Sequence, residues 1–112
     1  MGQAMDSPEI GKRIAVMQAE YAAKLPARIA EIEQRWDALL AAGLPAAELE
    51  ELVRTVHGIA GSGAIFGLAA VSGAARELEL YLESIRARGG PAGTAESERV
   101  AALIAAIKDA AG

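Results

Sequence analysis

Large apolar residues recur along most of the chain at alternating steps of four and three, which is the periodicity of an amphipathic α-helix. They form five stripes: Ile10, Ile14, Met17 and Tyr21; Leu25, Ile29, Ile32, Trp36 and Leu39; Leu49, Leu52, Val56, Ile59 and Gly63; Leu68, Val71, Ala75, Leu78, Leu82 and Ile85; and Val100, Leu103, Ile104 and Ile107. No segment shows the strict alternation of apolar and polar residues that is typical of a strand. The pattern therefore predicts an all-α protein.

Helix-breaking residues separate the stripes. Pro26 is expected to end or kink the first helix, because proline lacks the backbone N–H that a helix interior requires. Gly67 separates the third stripe from the fourth, and a Gly-Gly-Pro loop at 89–91 precedes the fifth. Amphipathic helices joined by short loops predict an antiparallel up-and-down four-helix bundle with an additional N-terminal helix. We expect residues 1–112 to form this single domain, with residues 1–6 as a disordered N-terminus.

The composition agrees with a helical fold and removes several classes of function. A length of 112 residues corresponds to about one domain. A net charge of −4 and a pI near 5.0 leave no basic surface for nucleic acid. The absence of cysteine excludes disulfides and thiolate metal sites, and the single histidine excludes most clusters of metal ligands. We therefore expect no metal or cofactor of the chain's own and no nucleic-acid partner.

The stretch from Thr55 to Ala75 contains no Asp, Glu, Lys or Arg, and Gly63 and Gly67 have the G-x-x-x-G spacing of some membrane helices. A membrane span is therefore an alternative interpretation. Several glycines, serines and a histidine make the stretch only modestly hydrophobic, and its helical phase changes near Gly67. We expect no membrane association and, without a signal-peptide pattern, a cytoplasmic location. A bundle that buries its own stripes is expected to be a monomer.

The single histidine, His57, lies on the third predicted helix, about 110° around the helix from the centre of the apolar face. The residues that share its edge of the helix are Glu50, Arg54, Gly61 and Ala64. Glycine inside a helix often marks a close approach of another backbone, and Gly58 also lies beside the histidine. An unperturbed imidazole is largely neutral and nucleophilic at pH 7, so an exposed one can accept a phosphoryl group. The alternative is an ordinary surface histidine without a role.

The run 57–67 reads HGIAGSGAIFG and resembles the signature of histidine-containing phosphotransfer (HPt) domains. That signature is a histidine, any residue, an apolar residue, usually a lysine, then Gly-Ser, with another glycine six residues after the first. Gly61-Ser62 and Gly67 occupy the matching positions, and Leu78-Glu79 matches an apolar-Glu pair on the following helix. The order of helices around the histidine also matches, so the resemblance extends over nearly the whole chain.

This resemblance implies phosphorelay chemistry in a two-component system. A phosphoryl group would pass between His57 and the aspartate of a receiver domain, in a response regulator or a hybrid histidine kinase. The chain would be a phosphocarrier and not an enzyme, because in this family the receiver supplies the Mg²⁺ and most catalytic groups. The residues expected to form the docking surface for the receiver are Glu50, Gly58, Gly61 and Ala64. Arg54, one turn before the histidine, is the candidate for supporting the phosphate.

One position departs from the family pattern, because Ala60 stands where the family usually has a lysine. That lysine is thought to help neutralise the phosphoryl group. Arg54 is the available substitute, although it could instead pair with Glu50 or remain solvated. Two alternative functions therefore stay open. The chain could be an HPt-fold docking or inhibitory module that does not transfer phosphate, or an unrelated helical adaptor with a chance histidine.

Three further expectations concern the neighbourhood of the histidine. Ser62 falls near the opposite flank of the helix and is expected to allow close packing. Gly63, on the apolar face, is expected to serve helix packing as well. The residues expected to form a solvated acidic edge on the fourth predicted helix are Glu77, Glu79 and Glu83.

Overall fold

The computed structural model describes residues 8–112, and this part of the chain contains four α-helices and no strand. The helices are α1 (Pro8–Ala42), α2 (Ala46–Ile65), α3 (Ala69–Arg88) and α4 (Thr94–Ala111). The all-α prediction is thereby confirmed for the described residues. The expected disordered N-terminus, residues 1–6, lies outside them. None of the four helices combines the length and apolar character that a membrane span requires.

The helices form a bundle in which each one packs against two others, in the cyclic order α1, α2, α3, α4. Between α1 and α2, the Tyr21 hydroxyl donates a hydrogen bond to the carbonyl of Ile59 over 3.4 Å. Between α4 and α1, the Lys108 ammonium lies 2.7 Å from a carboxylate oxygen of Glu33. Short loops connect consecutive helices, so the arrangement is the expected up-and-down bundle.

The core consists of the apolar stripes of all four helices. Its largest fully buried side chains are Leu25, Ile29, Ile32, Leu52, Ile59, Leu78, Leu82, Ile85 and Ile107. Burying one leucine or isoleucine side chain stabilises a fold by about 1.5–3 kcal/mol. Among the described residues, no polar or charged residue is buried as a whole. The second to fifth apolar stripes, from Leu25 onward, therefore form the core, as the spacing predicts.

The additional N-terminal helix is not observed as a separate element. The first two predicted segments form the single 35-residue helix α1, with Pro26 inside it. Proline removes the hydrogen bond to the carbonyl four residues earlier, here that of Ala22, which is exposed and can be hydrated. The apolar residues stay in phase across the proline, since Tyr21, Leu25 and Ile29 are four residues apart and all buried. A continuous helix thus buries the apolar residues that precede the proline as well as those that follow it.

The N-terminal part of α1 extends beyond the rest of the bundle. At about 1.5 Å per residue α1 is about 52 Å long, whereas the other helices are about 30 Å or shorter; the long axis of the molecule measures 57 Å. The first turns of α1 therefore have no helix to pack against. Ile10, Ile14 and Met17 are exposed, and the expectation that this stripe is buried is wrong for these three residues.

The turn between α2 and α3 sets the register of these two helices. Gly67 adopts a left-handed conformation with φ +74°, which glycine accommodates without steric cost. Its N–H donates to the carbonyl of Ala64 over 3.2 Å, and the N–H of Leu68 donates to the carbonyl of Gly63 over 2.8 Å. This is the bonding pattern of a Schellman C-terminus. The predicted break at Gly67 is confirmed, and it turns α3 back along α2.

Candidate functional site

His57 lies on the outer surface of α2, with 66% of its side chain exposed. The preceding residue, Val56, is completely buried in the core. Because successive helical residues are about 100° apart, His57 occupies the flank next to the buried face, as its sequence position predicts. The core contacts of α2 hold its backbone in place, so the imidazole is presented from a fixed element.

A carboxylate from the neighbouring helix orients the imidazole. Nδ1 of His57 lies 2.6 Å from Oε2 of Glu79 on α3, which is the distance of a charge-assisted hydrogen bond. An ionised carboxylate can only accept a hydrogen bond. The neutral ring that makes this contact therefore carries its proton on Nδ1 and its lone pair on Nε2. Nε2 is the nitrogen that remains available for a reaction.

Glu79 is the more buried partner, with 15% of its side chain exposed. Its second oxygen, Oε1, is buried and has no hydrogen-bond partner among the described residues. The expectation that Glu79 belongs to a solvated acidic edge is therefore wrong. The other two acids of that edge differ from it, because Glu77 is exposed and Glu83 pairs with Arg86. The reason is that Leu78 is fully buried, which places Glu79 at the margin of the core, facing α2.

The helix surface that follows His57 on α2 is almost bare of side chains. Gly58, Gly61 and Ala64 are all exposed, and a Cβ built on Gly58 or Gly61 would meet no heavy atom within 4 Å. Gly63 differs, because a Cβ there would lie 3.3 Å from the backbone nitrogen of Ser72. Gly63 therefore permits close packing of α2 on α3, as expected. The packing of the described residues gives no reason for glycine at positions 58 and 61.

Alanine substitutions at two of these glycines should change stability in opposite directions. Gly61→Ala is expected to raise the free energy of unfolding by about 0.5–1 kcal/mol, because alanine is the better helix former and its Cβ meets nothing. Gly63→Ala is expected to lower it by about 1 kcal/mol, because its Cβ presses on the α3 backbone. Urea denaturation of both variants measures the difference. A Gly61→Ala protein less stable than the wild type would contradict an open surface at that position.

Arg54, the candidate for supporting the phosphate, pairs with Glu50 in this structure. Its Nη2 lies 3.0 Å from a carboxylate oxygen one turn earlier on α2. On α3, the guanidinium of Arg86 hydrogen-bonds Glu83 and holds the pKa of that carboxyl below its usual value. The same hydrogen bond raises the pKa of Arg86. Both arginines are thus engaged by carboxylates before any phosphoryl group arrives.

Two small residues near the histidine contribute to packing. Ala60 is buried, and its carbonyl accepts a 2.7 Å hydrogen bond from the hydroxyl of Ser72 on α3. Ser62 is half-buried, and its carbonyl accepts the hydrogen bond from the N–H of Phe66 that ends α2. Among the described residues, it is therefore the hydroxyl of Ser72, and not that of Ser62, that connects α2 to α3.

These features define a helical histidine module, in which a four-helix bundle presents an exposed, carboxylate-oriented imidazole on a flat surface. The family model of the Hpt domain matches residues 16–110, so the chain belongs to the Hpt-domain family and the resemblance is confirmed. Membership in this family implies histidine phosphotransfer in a two-component phosphorelay, carried out by a phosphocarrier module. No curated protein and no solved structure matches the chain.

Proposed function

We propose that this chain is a phosphorelay intermediate that accepts a phosphoryl group on Nε2 of His57. The donor is the aspartyl phosphate of one receiver domain, and the acceptor is the aspartate of another. The observation that carries the proposal is the 2.6 Å contact between His57 and Glu79, because it leaves Nε2 as the nucleophile on an exposed face. Hpt domains in general interact with receiver domains of response regulators, which supports this class of partner.

The transfer step is a displacement at phosphorus. The lone pair on Nε2 attacks the phosphorus atom of the aspartyl phosphate while the phosphorus–oxygen bond to the aspartate breaks. The bonding electrons leave with the carboxylate, and the imidazole ring of His57, which keeps its proton on Nδ1, gains one positive charge. Transfer to the next receiver reverses this step. Positioning and charge stabilisation contribute most to such a reaction.

Glu79 is a positioning residue both when His57 accepts the phosphoryl group and when it donates the group. Before transfer, its carboxylate fixes the ring orientation and the tautomer that presents Nε2. After transfer, it lies beside the positively charged ring and stabilises it, because the opposite charges attract each other in addition to the hydrogen bond. When the phosphoryl group passes to the next receiver, the imidazole of His57 is the leaving group and becomes neutral again.

We assign the Mg²⁺ of the reaction to the receiver domain. Two carboxylates of the site already bind other side chains, since Oε2 of Glu79 bonds the imidazole and Glu50 pairs with Arg54. Within residues 8–112, no three histidine, aspartate and glutamate side chains are grouped as metal ligands. This chain would then contribute the nucleophile and its orientation, and the partner would contribute the metal ion and the remaining polar groups.

The proposed docking surface extends beyond the small residues at 58, 61 and 64. Ile65, at the end of α2, is 80% exposed, and Leu80, which follows Glu79 on α3, is 58% exposed. Apart from residues in the first turns of α1, these are the large apolar side chains that the described structure leaves exposed. Ile65 follows Ala64 at the end of α2, and Leu80 lies on α3 next to Glu79, which bonds His57. Apolar side chains beside a flat patch suit a protein partner.

The proposal is tested by incubating the protein with a panel of phosphorylated receiver domains and Mg²⁺. We expect transfer of acid-labile, alkali-stable label to the wild type from at least one receiver, with His57 as the labelled residue. Tight binding to a receiver without any label would support the docking or inhibitory module instead. Neither label nor binding across the panel would refute the proposed partner class.

Two variants test the docking surface separately from the chemistry. Ile65→Glu and Leu80→Glu are each expected to weaken receiver binding by about tenfold, because each places a charge in an apolar contact. Val16→Glu is the matched control, since Val16 is also exposed (55%) but lies on the extended part of α1. Isothermal titration calorimetry measures the three affinities. Equal affinities for all three variants would place the receiver on another surface.

A further inference from the structure

The site around His57 is poor in free positive charge for a group that must hold phosphate. A phosphoryl group adds a charge of about −1.5 to −2 near neutral pH, and Glu79 already places a carboxylate against the ring. Position 60, one turn after the histidine, is a buried alanine. A nearby cation would stabilise the phosphorylated state.

Most arginines near the site are already paired. Arg54 is bound to Glu50 and Arg86 to Glu83, with nitrogen–oxygen distances of 3.0 Å and 3.1 Å. Arg76 on α3 takes part in none of the ion pairs formed among residues 8–112, and it is exposed. Its charge is therefore available to an incoming anion without breaking an existing pair.

The contacts between α2 and α3 place Arg76 opposite the residue that lies one turn after the histidine. Ser72 packs against Gly63, and Glu79 bonds His57, so the two helices run antiparallel with Arg76 opposite position 60. Arg76 precedes Glu79 by three residues, which is about 4.5 Å along the helix and about 60° around it. That rotation leads away from the buried side of α3, where Leu78 and Leu82 lie, and toward the outer surface.

The surface that Arg76 would cross is open. Ala60, opposite it, has a short side chain, and the neighbouring Gly61 has none. A Cβ at Gly61 would meet no heavy atom within 4 Å. A guanidinium on a long flexible side chain can therefore extend over this part of α2 toward the exposed edge of the His57 ring.

We propose that Arg76 is the phosphate-binding cation of this site, reaching across Ala60 and Gly61 to pair with the phosphoryl oxygens on Nε2 of His57. This inference rests on the proposed function, since it concerns the phosphorylated histidine. The guanidinium fork suits two phosphate oxygens at once. The cation that neutralises the phosphoryl group thus comes from α3, whereas the nucleophile comes from α2.

The test uses chemical phosphorylation, which does not depend on a receiver. A small phosphoramidate donor transfers its phosphoryl group to Nε2 as its phosphorus–nitrogen bond breaks and ammonia leaves. A titration followed by ³¹P NMR then gives the pKa of the phosphoryl group on His57. A cation beside the group favours the dianion, so Arg76→Ala is expected to raise this pKa by about half a unit, and Arg76→Lys to raise it less. Transfer to a receiver should slow about threefold to tenfold in Arg76→Ala.

Arg54→Ala tests the competing candidate for the phosphate-binding cation. Arg99→Ala is the matched control, because it removes the same charge from an exposed position on α4, which does not pack against α2. It should leave the phosphoryl pKa close to that of the wild type. An unchanged pKa in Arg76→Ala, or a rise in Arg54→Ala alone, would overturn the assignment of Arg76 while leaving phosphotransfer by His57 intact. Failure of the wild type to form any phosphohistidine would overturn both the proposed function and this inference.

Discussion

Replacing His57 with glutamine is expected to abolish phosphoryl transfer while changing the free energy of unfolding by less than about 1 kcal/mol. The side chain is 66% exposed, so little apolar area is lost. Glutamine has no nucleophilic nitrogen, because its amide lone pair is delocalised into the carbonyl. Its amide N–H can still donate to Glu79, whose carboxylate is largely removed from water and keeps a partner.

His57→Ala is the informative companion variant. It also removes the nucleophile, but it leaves the Glu79 carboxylate without a hydrogen-bond donor. Leaving a buried polar group unpaired costs about 1–3 kcal/mol, so His57→Ala is expected to be less stable than His57→Gln by about that amount. Urea denaturation gives both stabilities, and phosphorylation by a receiver gives both activities. Label retained in His57→Gln would show that another residue accepts the phosphoryl group.

The apolar spacing was sufficient to predict most of the fold, because each helix of the bundle buries one continuous stripe. The same spacing also contained the evidence for a continuous α1, since Tyr21, Leu25 and Ile29 keep their phase across Pro26. Pro26 considered alone predicts an end or a kink of the helix, whereas the phase of the apolar residues predicts that the helix continues. One lost backbone hydrogen bond at an exposed carbonyl costs less than leaving a stripe unburied.

The exposure of Ile14 and Met17 could not be predicted in the same way. A stripe shows which face of a helix is apolar, but whether that face is covered depends on the lengths of the other helices. In this bundle α1 has 35 residues, and the other three helices have 18 to 20. Helix boundaries therefore decide burial at the ends of a bundle, and periodicity alone decides it in the middle.

The sequence of α2 alone predicts that His57 lies on the helix surface. It does not predict that Glu79 on α3 bonds the imidazole. The rotation about α2 requires only the residues near 57, whereas the contact with Glu79 depends on the register between α2 and α3. Gly63 and the turn at Gly67 set that register through backbone contacts. The match of Leu78-Glu79 to the family pattern was the sequence signal for this contact. Considered on α3 alone, Glu79 looked like one of several acids on an exposed edge.

Glu79→Gln is expected to slow phosphoryl transfer by about 10-fold to 100-fold without loss of stability. The hydrogen bond to the charged ring contributes about 1.5–3 kcal/mol where it forms, and each 1.36 kcal/mol corresponds to a factor of ten in rate. The amide can accept from Nδ1–H through its oxygen or donate to Nδ1 through its nitrogen. The ring of His57 would therefore populate both tautomers, and Nε2 would be nucleophilic in only part of the molecules.

Glu83→Gln is the matched control for this variant. It makes the same change one turn later on α3, where the carboxylate bonds Arg86 and not the histidine. Transfer rates from one phosphorylated receiver and ¹⁵N chemical shifts of the His57 ring should be measured for both variants. We expect mixed tautomers and slow transfer in Glu79→Gln, and a ring and a rate close to wild type in Glu83→Gln. Equal slowing in both would mean that general negative charge on α3, and not the contact with Nδ1, sets the reactivity of the histidine.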